Sequence, residues 1–351
     1  MADHRRVDIH SHGIPPQLPT GPGAGFAGWP SVERSGDTAA VLVGGRPFRD
    51  IDSRCWSAAR RIEDLDADGI DVQVVSPIPV TFCYDAPAAG AVFLARAQND
   101  FLAGLVSEGG GRIAALGAVP LQDPQAAVAE LERVAGDLRM AGVQIGTHVA
   151  GRELADPAFE EFFAASAELG ALVFVHPGTL PAASRLAPLD LAFGVGMPCE
   201  TALAAAQLIV GGILSRHPAL RICLAHGGGA LPMILGRLDR GWEILPGMAD
   251  RLAERPSVTA RRLYADSLTY DPDSLALVLS RFGGDHVMLG TDYPFAARET
   301  PPGAAVHAAL AAGRCDDATC RAVLGGTASA LLPLPERALT PAGDGRGEEM
   351  H

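Results

Sequence analysis

Four short segments spread along the chain each join an apolar run to imidazole or carboxylate groups, at positions 8–12, 174–177, 225–229 and 290–294. In the first segment, His10 and His12 point to one face if the segment is a strand, because side chains alternate with a period of two. Three neutral imidazoles and one carboxylate form a donor set that suits zinc or a similar divalent ion. We therefore expect one Zn²⁺ per chain, with the ligands His10, His12, His176 and Asp292.

A further imidazole, His226, is followed directly by three glycines. It is either a fifth ligand or, in the interpretation we favour, a catalytic base that exchanges a proton with water beside the ion. The glycines 227–229 either offer backbone N–H groups to a substrate oxygen or form a tight turn into the next helix. His148 is expected to support the site from outside or to be structural.

These residues need a fold that brings the two ends of the chain together. Strand patterns are found at 6–10, 71–76, 113–119, 142–146, 172–176, 221–226, 263–266 and 286–292. Helical patterns alternate with them at 57–68, 91–108, 124–138, 157–169, 200–216, 231–242, 272–282 and 302–312. Eight strand–helix units in one chain are typical of a parallel sheet closed as a barrel, so we predict an α/β fold of the (β/α)8 TIM-barrel type.

The positions of the polar residues support closure. The histidines and the aspartate fall at the carboxyl ends of the first, fifth, sixth and eighth predicted strands, and active sites of such barrels lie on that face. In an open sheet the first and last strands would lie too far apart to share one ion.

One segment interrupts the barrel pattern. Residues 15–56 are rich in Gly and Pro, and within them 40–49 predicts a β-hairpin that turns at Gly44 and Gly45. An insertion after a barrel strand lies over the active-site face and is a candidate lid. We predict one domain over residues 1–335 and a disordered tail over 336–351.

Composition excludes several classes of function. A formal net charge of −13 argues against nucleic acid and anionic membranes as partners. No apolar run was expected to approach the roughly 20 residues of a membrane span, and the N-terminus lacks a signal-peptide pattern, so a cytoplasmic protein is expected. All 28 basic residues are arginine, which excludes a Schiff-base lysine and a carbamylated lysine between two metals. The six cysteines are irregularly spaced and predicted to be free, with Cys55 and Cys83 nearest the site.

Two arginines could bind substrate carboxylate groups through the bidentate fork of guanidinium. Arg49 lies in the predicted hairpin, and Arg237 lies about three helical turns after His226. A helix that leaves the barrel rim points its outer turns away from its own metal, so Arg237 is expected to serve the pocket of a neighbouring subunit. The candidate pocket walls are Trp56, Tyr84, Met197 and Phe295.

At these residues the chain resembles the amidohydrolase superfamily and, within it, the 2-amino-3-carboxymuconate-6-semialdehyde decarboxylases. The resemblance runs from Val7 to about Leu332, and its motifs lie at 8–12, 48–49, 55–56, 61–63, 69–73, 142–149, 174–177, 195–198, 225–229, 235–237 and 289–295. The segments 48–49, 55–56 and 235–237 are much closer to this decarboxylase branch than to the superfamily as a whole.

The resemblance implies a mononuclear zinc site in which His226 activates water. It also implies that Arg49 binds substrate carboxylate and that Arg237 does so from the other subunit of a homodimer. One stretch departs from the family pattern: Gly178-Thr179-Leu180 stands where the family often has Trp-Asp-Met. Losing bulky side chains next to a metal ligand should widen or reshape the pocket and so change which substrates fit.

The resulting prediction is a zinc-dependent, non-oxidative decarboxylase of a small unsaturated or aromatic carboxylic acid, with 2-amino-3-carboxymuconate-6-semialdehyde as the favoured substrate. His226 and Asp292 are the expected catalytic residues. A hydrolase or hydratase that uses the same metal on a small carboxylate is the first alternative, and product analysis separates the two. A non-catalytic metal-binding barrel that acts as a partner or sensor is the second.

Overall fold

Parallel β-strands form the centre of the molecule, which a computed structural model describes over residues 5–181 and 183–335. The predicted tail at 336–351 lies outside the described residues. The strands are β1 Val7–Gly13, β2 Pro30–Ser35, β3 Thr38–Val43, β4 Arg46–Asp52, β5 Val72–Pro77, β6 Ile113–Ala118, β7 Gly142–Ile145, β8 His148–Val149, β9 Arg152–Glu153, β10 Leu172–Val175, β11 Arg221–Leu224, β12 Tyr264–Asp266 and β13 Val287–Met288.

Eight of these strands make one sheet in the order β1-β5-β6-β7-β10-β11-β12-β13, with parallel neighbours throughout. The sheet closes on itself because Ile9 N–H donates to the Leu289 carbonyl at 2.8 Å and His12 N–H donates to the Tyr293 carbonyl at 2.7 Å. The predicted (β/α)8 barrel is confirmed.

The last strand is shorter than predicted. Regular pairing with β12 covers Val287–Met288, whereas the sequence pattern extended to Asp292. Beyond Met288 the chain follows β1 through single hydrogen bonds, and at Asp292 the backbone turns into the left-handed region with φ of 63°. That turn ends the regular strand and directs the carboxylate into the barrel mouth.

Helices cover the outside of the barrel. They are α1 Ala58–Asp68, α2 Ala88–Glu108, α3 Pro124–Gly136, α4 Glu160–Leu169, α5 Ala183–Leu186, α6 Met197–Val210, α7 Ile213–Arg216, α8 Leu231–Ile244, α9 Pro246–Ala249, α10 Pro256–Thr259, α11 Pro272–Phe282, α12 Ala304–Ala311, α13 Asp317–Arg321 and α14 Thr327–Leu331. Short 3₁₀ turns and two π-helical turns, Ala192–Gly196 and Ala322–Gly326, join some of them. The predicted helix at 200–216 is two helices, α6 and α7, and the sequence patterns did not predict α5, α9, α10, α13 and α14.

Local sequence explains where several helices start and stop. The Ser57 side chain accepts a hydrogen bond from the Arg60 N–H at the start of α1, and Gly69 ends that helix with φ of 65°. Asp123 and Asp271 cap α3 and α11 in the same way, each before a proline in the first turn. These caps fix the starts of the helices that follow β4, β6 and β12.

Successive side chains of the barrel strands belong alternately to two apolar clusters. The larger lies between sheet and helices, and the smaller fills the barrel interior with side chains such as Ile9, Leu116, Phe174 and Met288. The Phe174 ring lies 5.0 Å from the His10 ring, centroid to centroid. The metal-ligand candidates therefore lie directly above an apolar floor inside the barrel.

The insertion after β1 forms a three-stranded antiparallel sheet, here called the arm, made of β2, β3 and β4. Its second turn contains Gly44 and Gly45 with φ of 57° and 75°, a region that favours glycine. Below the arm, Ile14, Val41 and Trp56 belong to a buried cluster that joins it to the barrel. The arm adds one strand, β2, to the expected hairpin.

One helical segment, Ala192–Val210, is long and apolar enough to cross a membrane by length and composition, with 19 residues and a mean hydropathy of 1.4. The expectation that no apolar run approaches this size is therefore wrong. Core helices of proteins without a membrane span pass the same test, so the segment is weak evidence for a span. Its side chains Ala204, Ala205 and Leu208 lie in the core around the barrel.

Candidate active site

Four side chains meet at the carboxyl end of the barrel, where one ion could touch all of them. Each offers a ligand atom, and these atoms lie within 4.8 Å of one another; the residues are His10, His12, His176 and Asp292. All four are buried. They come from β1, from the loop after β10 and from the segment after β13, so the closed barrel brings distant parts of the sequence to one point.

Hydrogen bonds fix the tautomer of the three rings. Nδ1 of His10 lies 2.6 Å from Asp266 Oδ2, Nδ1 of His12 lies 3.1 Å from the Pro77 carbonyl, and Nδ1 of His176 lies 2.8 Å from the Pro177 carbonyl. Each partner is an acceptor, so each Nδ1 carries the proton and donates. The three Nε2 atoms are thereby left with free lone pairs, the arrangement found in metal-binding histidines.

Two of the distances between these ligand atoms are close to those around a small tetrahedral ion, and a third, from His10 Nε2 to Asp292 Oδ1, is longer at 3.7 Å. Nε2 of His10 and Nε2 of His12 are 3.2 Å apart, and Nε2 of His12 lies 3.1 Å from Asp292 Oδ1. Ligands about 2.0 Å from a tetrahedral ion are roughly 3.3 Å from one another. The buried Nε2 of His176 has no hydrogen-bond partner among the described residues. This donor set fits a divalent cation, and the cluster is a metal-binding site.

Burial lowers the pKa of His12 and of His176 and so keeps these two rings neutral, whereas at His10 the hydrogen bond and charge of Asp266 outweigh burial and raise the pKa. Burial lowers the pKa of His176 well below its usual value, and the neighbouring imidazoles lower it further. Burial would raise the pKa of Asp292, but its close contact with the His12 ring and the nearby imidazoles lower it to about 2. Asp292 is therefore ionised and its negative charge faces bare imidazole nitrogens, as metal binding requires.

His226 lies beside the cluster, with its ring centroid 5.1 Å from that of His10 and 5.0 Å from that of His176. Burial lowers its pKa to about 4, and the nearby His10 adds to this effect. A neutral ring at this position can accept a proton. Its buried Nδ1 has no hydrogen-bond partner in the described part of the chain.

Asp266 was missed by the sequence analysis, and it connects the metal cluster to His226. Its Oδ2 accepts from His10 Nδ1 and, at 2.9 Å, from the His226 N–H, while its Oδ1 accepts from the Gly227 N–H at 2.8 Å. One buried carboxylate thus orients a metal-ligand ring and the turn that carries the candidate base. The sequence did hold a signal, because Asp266 ends the seventh barrel strand, the same position that identified the other site residues.

The glycines after His226 form a tight turn. The Gly227 N–H donates to Asp266, the Gly228 N–H donates to the Ala225 carbonyl, and the Gly229 N–H donates to the His226 carbonyl. A Cβ on Gly229 would lie 2.3 Å from the Pro198 carbonyl oxygen, so a side chain does not fit there. With their N–H groups engaged, the glycines shape the turn, and the alternative of donors to a substrate oxygen is not supported.

A cavity of about 1000 Å³ opens above the cluster, with His12, His176, His226 and Asp292 in its walls. The predicted wall residues Tyr84, Met197 and Phe295 also line it. Trp56 does not fit that expectation: it is buried in the cluster below the arm, with the Arg34 guanidinium 5.5 Å from its ring.

Arg49 lines this cavity, and its guanidinium group lies over an aromatic ring there. Its guanidinium carbon lies 3.9 Å from the centroid of the Phe295 ring, and that ring stacks on His12 with centroids 5.2 Å apart. Of the other arginines in the wall, Arg54 pairs with Asp52 at 2.7 Å and Arg298 pairs with Asp68 at 3.3 Å. Arg49 has no ion pair with any described residue, which leaves its charge free for an anionic ligand.

Arg237 lies elsewhere. It is exposed on α8 and does not line the cavity of its own chain. His148 does line the cavity, and its Nε2 lies 3.3 Å from the Thr179 carbonyl. Cys55 and Cys83 also reach the wall, and burial raises the pKa of both thiols, to about 11 and about 12.

Comparisons with known proteins agree with this geometry. The amidohydrolase family model matches residues 7–334. The chain is 36% identical over 332 residues to a 2-amino-3-carboxymuconate-6-semialdehyde decarboxylase of Dictyostelium discoideum, an alignment that covers 94% of this chain and 92% of the relative. Among solved structures it resembles the apo form of an IDCase from Metarhizium anisopliae, with a TM-score of 0.80, 26% identity and coverage of 95% of this chain and 98% of the other.

A second solved structure is similar over a shorter stretch. It is the 5-carboxyvanillate decarboxylase of Novosphingobium aromaticivorans, complexed with manganese and 4-hydroxy-3-methoxy-5-nitrobenzoic acid. The TM-score is 0.67 at 27% identity, and the match covers 80% of this chain and 81% of the other. The chain belongs to the amidohydrolase family, and within it to the metal-dependent carboxy-lyases that resemble 2-amino-3-carboxymuconate-6-semialdehyde decarboxylase.

Proposed function

We propose that the protein is a zinc-dependent, non-oxidative decarboxylase of a small unsaturated or aromatic carboxylic acid. The favoured substrate is 2-amino-3-carboxymuconate-6-semialdehyde or a close analogue. The observation that carries the proposal is the convergence of three proton-free imidazole nitrogens and an ionised carboxylate below a cavity that also holds Arg49, which has no ion pair among the described residues. Zinc suits this donor set, and manganese is the alternative because a related decarboxylase binds it.

In this proposal His10, His12, His176 and Asp292 hold the ion. When bound, the ion supplies Lewis-acid polarisation of a substrate oxygen next to the carbon that loses carbon dioxide. Decarboxylation breaks the bond to the carboxylate carbon, and the electron pair of that bond stays on the substrate carbon. A proton must then reach that carbon, and the neutral His226 exchanges protons with water in the cavity to deliver it.

Arg49 is proposed to bind a substrate carboxylate. Its free charge lies over Phe295, one ring away from His12, so a carboxylate on Arg49 lies next to the metal cluster. Guanidinium recognises carboxylate in a bidentate fork, which also fixes the orientation of a planar substrate. Phe295, Tyr84 and Met197 are proposed to contact its apolar face.

The substrate is expected to be larger than the family pattern would admit. A Cβ on Gly178 would lie 3.6 Å from the nearest Phe82 atom and 3.7 Å from the nearest Pro79 atom, which is ordinary contact distance. The backbone therefore has room for a side chain here, and the space is open because this chain has glycine at the position. Ring-substituted acids such as the one bound to the related manganese enzyme are therefore included in the substrate class.

The proposal includes a homodimer in which Arg237 reaches the partner's cavity. Met233 lies one turn from Arg237 on the same face of α8 and is 75% exposed, which is costly for an apolar side chain unless a partner covers it. Further exposed apolar side chains lie at the end of α8, directly after it, and on the segment that leads into α6; they include Leu189, Phe193, Ile244 and Leu245. An isologous contact through this face would bring two copies of Arg237 to two cavities.

A cytoplasmic location is also part of the proposal. All six cysteines are free, which suits a reducing compartment.

The test is product analysis on a panel of acids. Purified protein reconstituted with Zn²⁺ or Mn²⁺ is incubated with aminomuconate and ortho-hydroxybenzoate acids, and carbon dioxide release is measured beside the uptake of water into products. We expect carbon dioxide and a product that carries a hydrogen in place of the carboxylate. Water addition without carbon dioxide would instead identify a hydrolase or hydratase.

A further inference from the structure

Arg61 is fully buried inside the molecule although it carries a permanent charge. It lies on α1 between Ala58 and Leu65, on the stripe of that helix that faces the barrel. Burial lowers its pKa, but an arginine side chain stays protonated in proteins. A buried charge without a direct counter-charge is costly, and an apolar residue here would serve the fold better.

The guanidinium contacts the end of β1 and the segment after β13, both of which carry metal ligands, and also β5. Nη2 donates to the carbonyl of His12, and Nη1 donates to Gln73 Oε1 at 2.6 Å. The guanidinium carbon also lies 5.1 Å from the centroid of the Tyr293 ring. Tyr293 directly follows Asp292, so Arg61 touches the backbone of one ligand and the neighbour of another.

Gln73 connects this charge to a buried carboxylate. Its Nε2 donates to Asp8 Oδ2 at 3.0 Å, while Asp8 also accepts from the His10 N–H at 3.1 Å and from the Thr291 hydroxyl at 2.7 Å. The Gln73 amide thus bridges the positive Arg61 and the negative Asp8 through one hydrogen bond to each. Together they connect β1, β5 and the segment after β13 at the level of the metal ligands.

We propose that Arg61 is a positioning residue for the metal site, which holds the ends of β1 and of the chain after β13 at the spacing that lets His10, His12 and Asp292 face one ion. The inference rests on the metal-binding part of the proposed function. Its basis is the fork of the guanidinium, which reaches the His12 carbonyl and Gln73 together. A single ammonium group cannot do this in the same geometry.

The test variant is Arg61→Lys, which keeps the charge and loses the fork. Metal-free protein is titrated with Zn²⁺ by calorimetry, and the visible d–d spectrum of the Co²⁺ form reports the geometry of the ligands. Loss of a partner that orients ligands typically weakens metal binding by roughly 10–100-fold. We expect a loss in this range together with a shifted cobalt spectrum.

Arg112→Lys is the matched control. Arg112 donates from Nε to the Asp71 carbonyl at 2.6 Å and from Nη2 to the Ile70 carbonyl at 2.7 Å, just before β5 and away from the cluster. It too loses a fork on backbone carbonyls, but it touches no ligand. Its affinity for Zn²⁺ and its cobalt spectrum should equal those of the unaltered protein.

Each result decides the question. Equal Zn²⁺ affinity and an unchanged spectrum in Arg61→Lys overturn the inference, as do equal losses in both lysine variants. Where Arg61→Lys fails to fold, Gln73→Met removes one anchor of the fork, and unchanged Zn²⁺ affinity in that variant has the same meaning. Unaltered protein that binds neither Zn²⁺ nor Co²⁺ overturns the metal site itself, which separates failure of the proposed function from failure of Arg61 alone.

Discussion

The metal cluster and the rim, our name for the two arginines Arg49 and Arg237 that are proposed to bind substrate carboxylate, are built in opposite ways. Every ring of the cluster is buried and bonded through Nδ1 to a fixed acceptor of its own chain. At the rim, Arg49 is partly exposed on the arm and Arg237 is exposed on α8, and neither has an ion pair with a described residue. The cluster is thus complete within one chain, whereas the rim depends on substrate and, in our proposal, on a second subunit.

The largest effect should follow from His226→Asn, which tests whether chemistry can be separated from metal binding. Asparagine tolerates the left-handed backbone at this position, where φ is 55°, so the turn should survive. Because one placed acid–base group contributes roughly 10²–10⁴-fold, turnover should fall by that factor while the metal stays bound. The measurements are carbon dioxide release and metal content by elemental analysis. A variant that loses its metal would make His226 a fifth ligand.

Asp266→Asn tests whether the cluster depends on its fixed acceptors. The asparagine side chain has the same shape as aspartate, but its neutral oxygen accepts the hydrogen bond from His10 Nδ1 more weakly than a carboxylate does. The affinity for Zn²⁺ should therefore fall by roughly 10–100-fold. Titration of metal-free protein measures this. Asp271→Asn is the control from the same region, because asparagine caps a helix as well as aspartate does and Asp271 caps α11. Equal affinities in the two variants would contradict the role of Asp266.

The rim should behave differently. Arg49→Ala and Arg237→Ala should each raise KM by about 10–100-fold, because a hydrogen bond to a charged group is worth about 1.5–3 kcal/mol, with Zn²⁺ content unchanged. Arg46→Ala, an exposed arginine on the same strand of the arm as Arg49, is the control and should change neither quantity.

Mixing the two rim variants tests the shared site. After subunit exchange, one cavity of each heterodimer receives both arginines, so about a quarter of all sites should be intact. Activity of the mixture should rise accordingly. Exchange verified by mass spectrometry without any gain in activity would show that Arg237 does not cross between subunits.

Charged residues outside both regions should matter least. Hydrogen bonds from Arg216 and His217 lower the pKa of Glu160 to about 2 from its usual 4.5, so this group stabilises the fold above pH 4.5 and loses that contribution as pH falls towards 2. Because the pair is near the surface, Glu160→Gln should cost about 1 kcal/mol or less at pH 7. Urea unfolding at pH 7 and near pH 2 measures the difference, which should be much smaller at the lower pH because Glu160 is then partly protonated in the folded state as well. A difference that stays as large there would require another cause.

The sequence predicted the parts of the site that follow a positional rule. A polar residue that ends an apolar strand of a (β/α)8 barrel lies at the active face, and this rule found His10, His176 and Asp292. The barrel followed from the alternation of strands and helices. The length of β13 did not, because the end of that strand is set by the turn at Asp292 and by bonds to β1, which no local pattern reveals.

Other residues were missed because tertiary contacts reverse their usual preference. Arg61 stands on a helix where a charge normally faces solvent, and only its partners on β1 and β5 explain its burial. Trp56 was expected in the cavity wall, but the arm covers it. The segment Ala192–Val210 combines a π-helical turn with α6, and neither the turn nor the exposed apolar side chains around it follow from periodicity.

The left-handed backbone at His226 and Asp292 sets stability against activity in this protein. The backbone φ is 55° at His226 and 63° at Asp292, and such a conformation costs a residue other than glycine about 1–3 kcal/mol. Glycine there would relieve the strain and remove the proposed chemistry at the same time. Directed evolution for heat resistance alone should therefore select substitutions at these two sites that inactivate the protein. A screen that requires both stability and activity must find its stabilising substitutions elsewhere in the barrel.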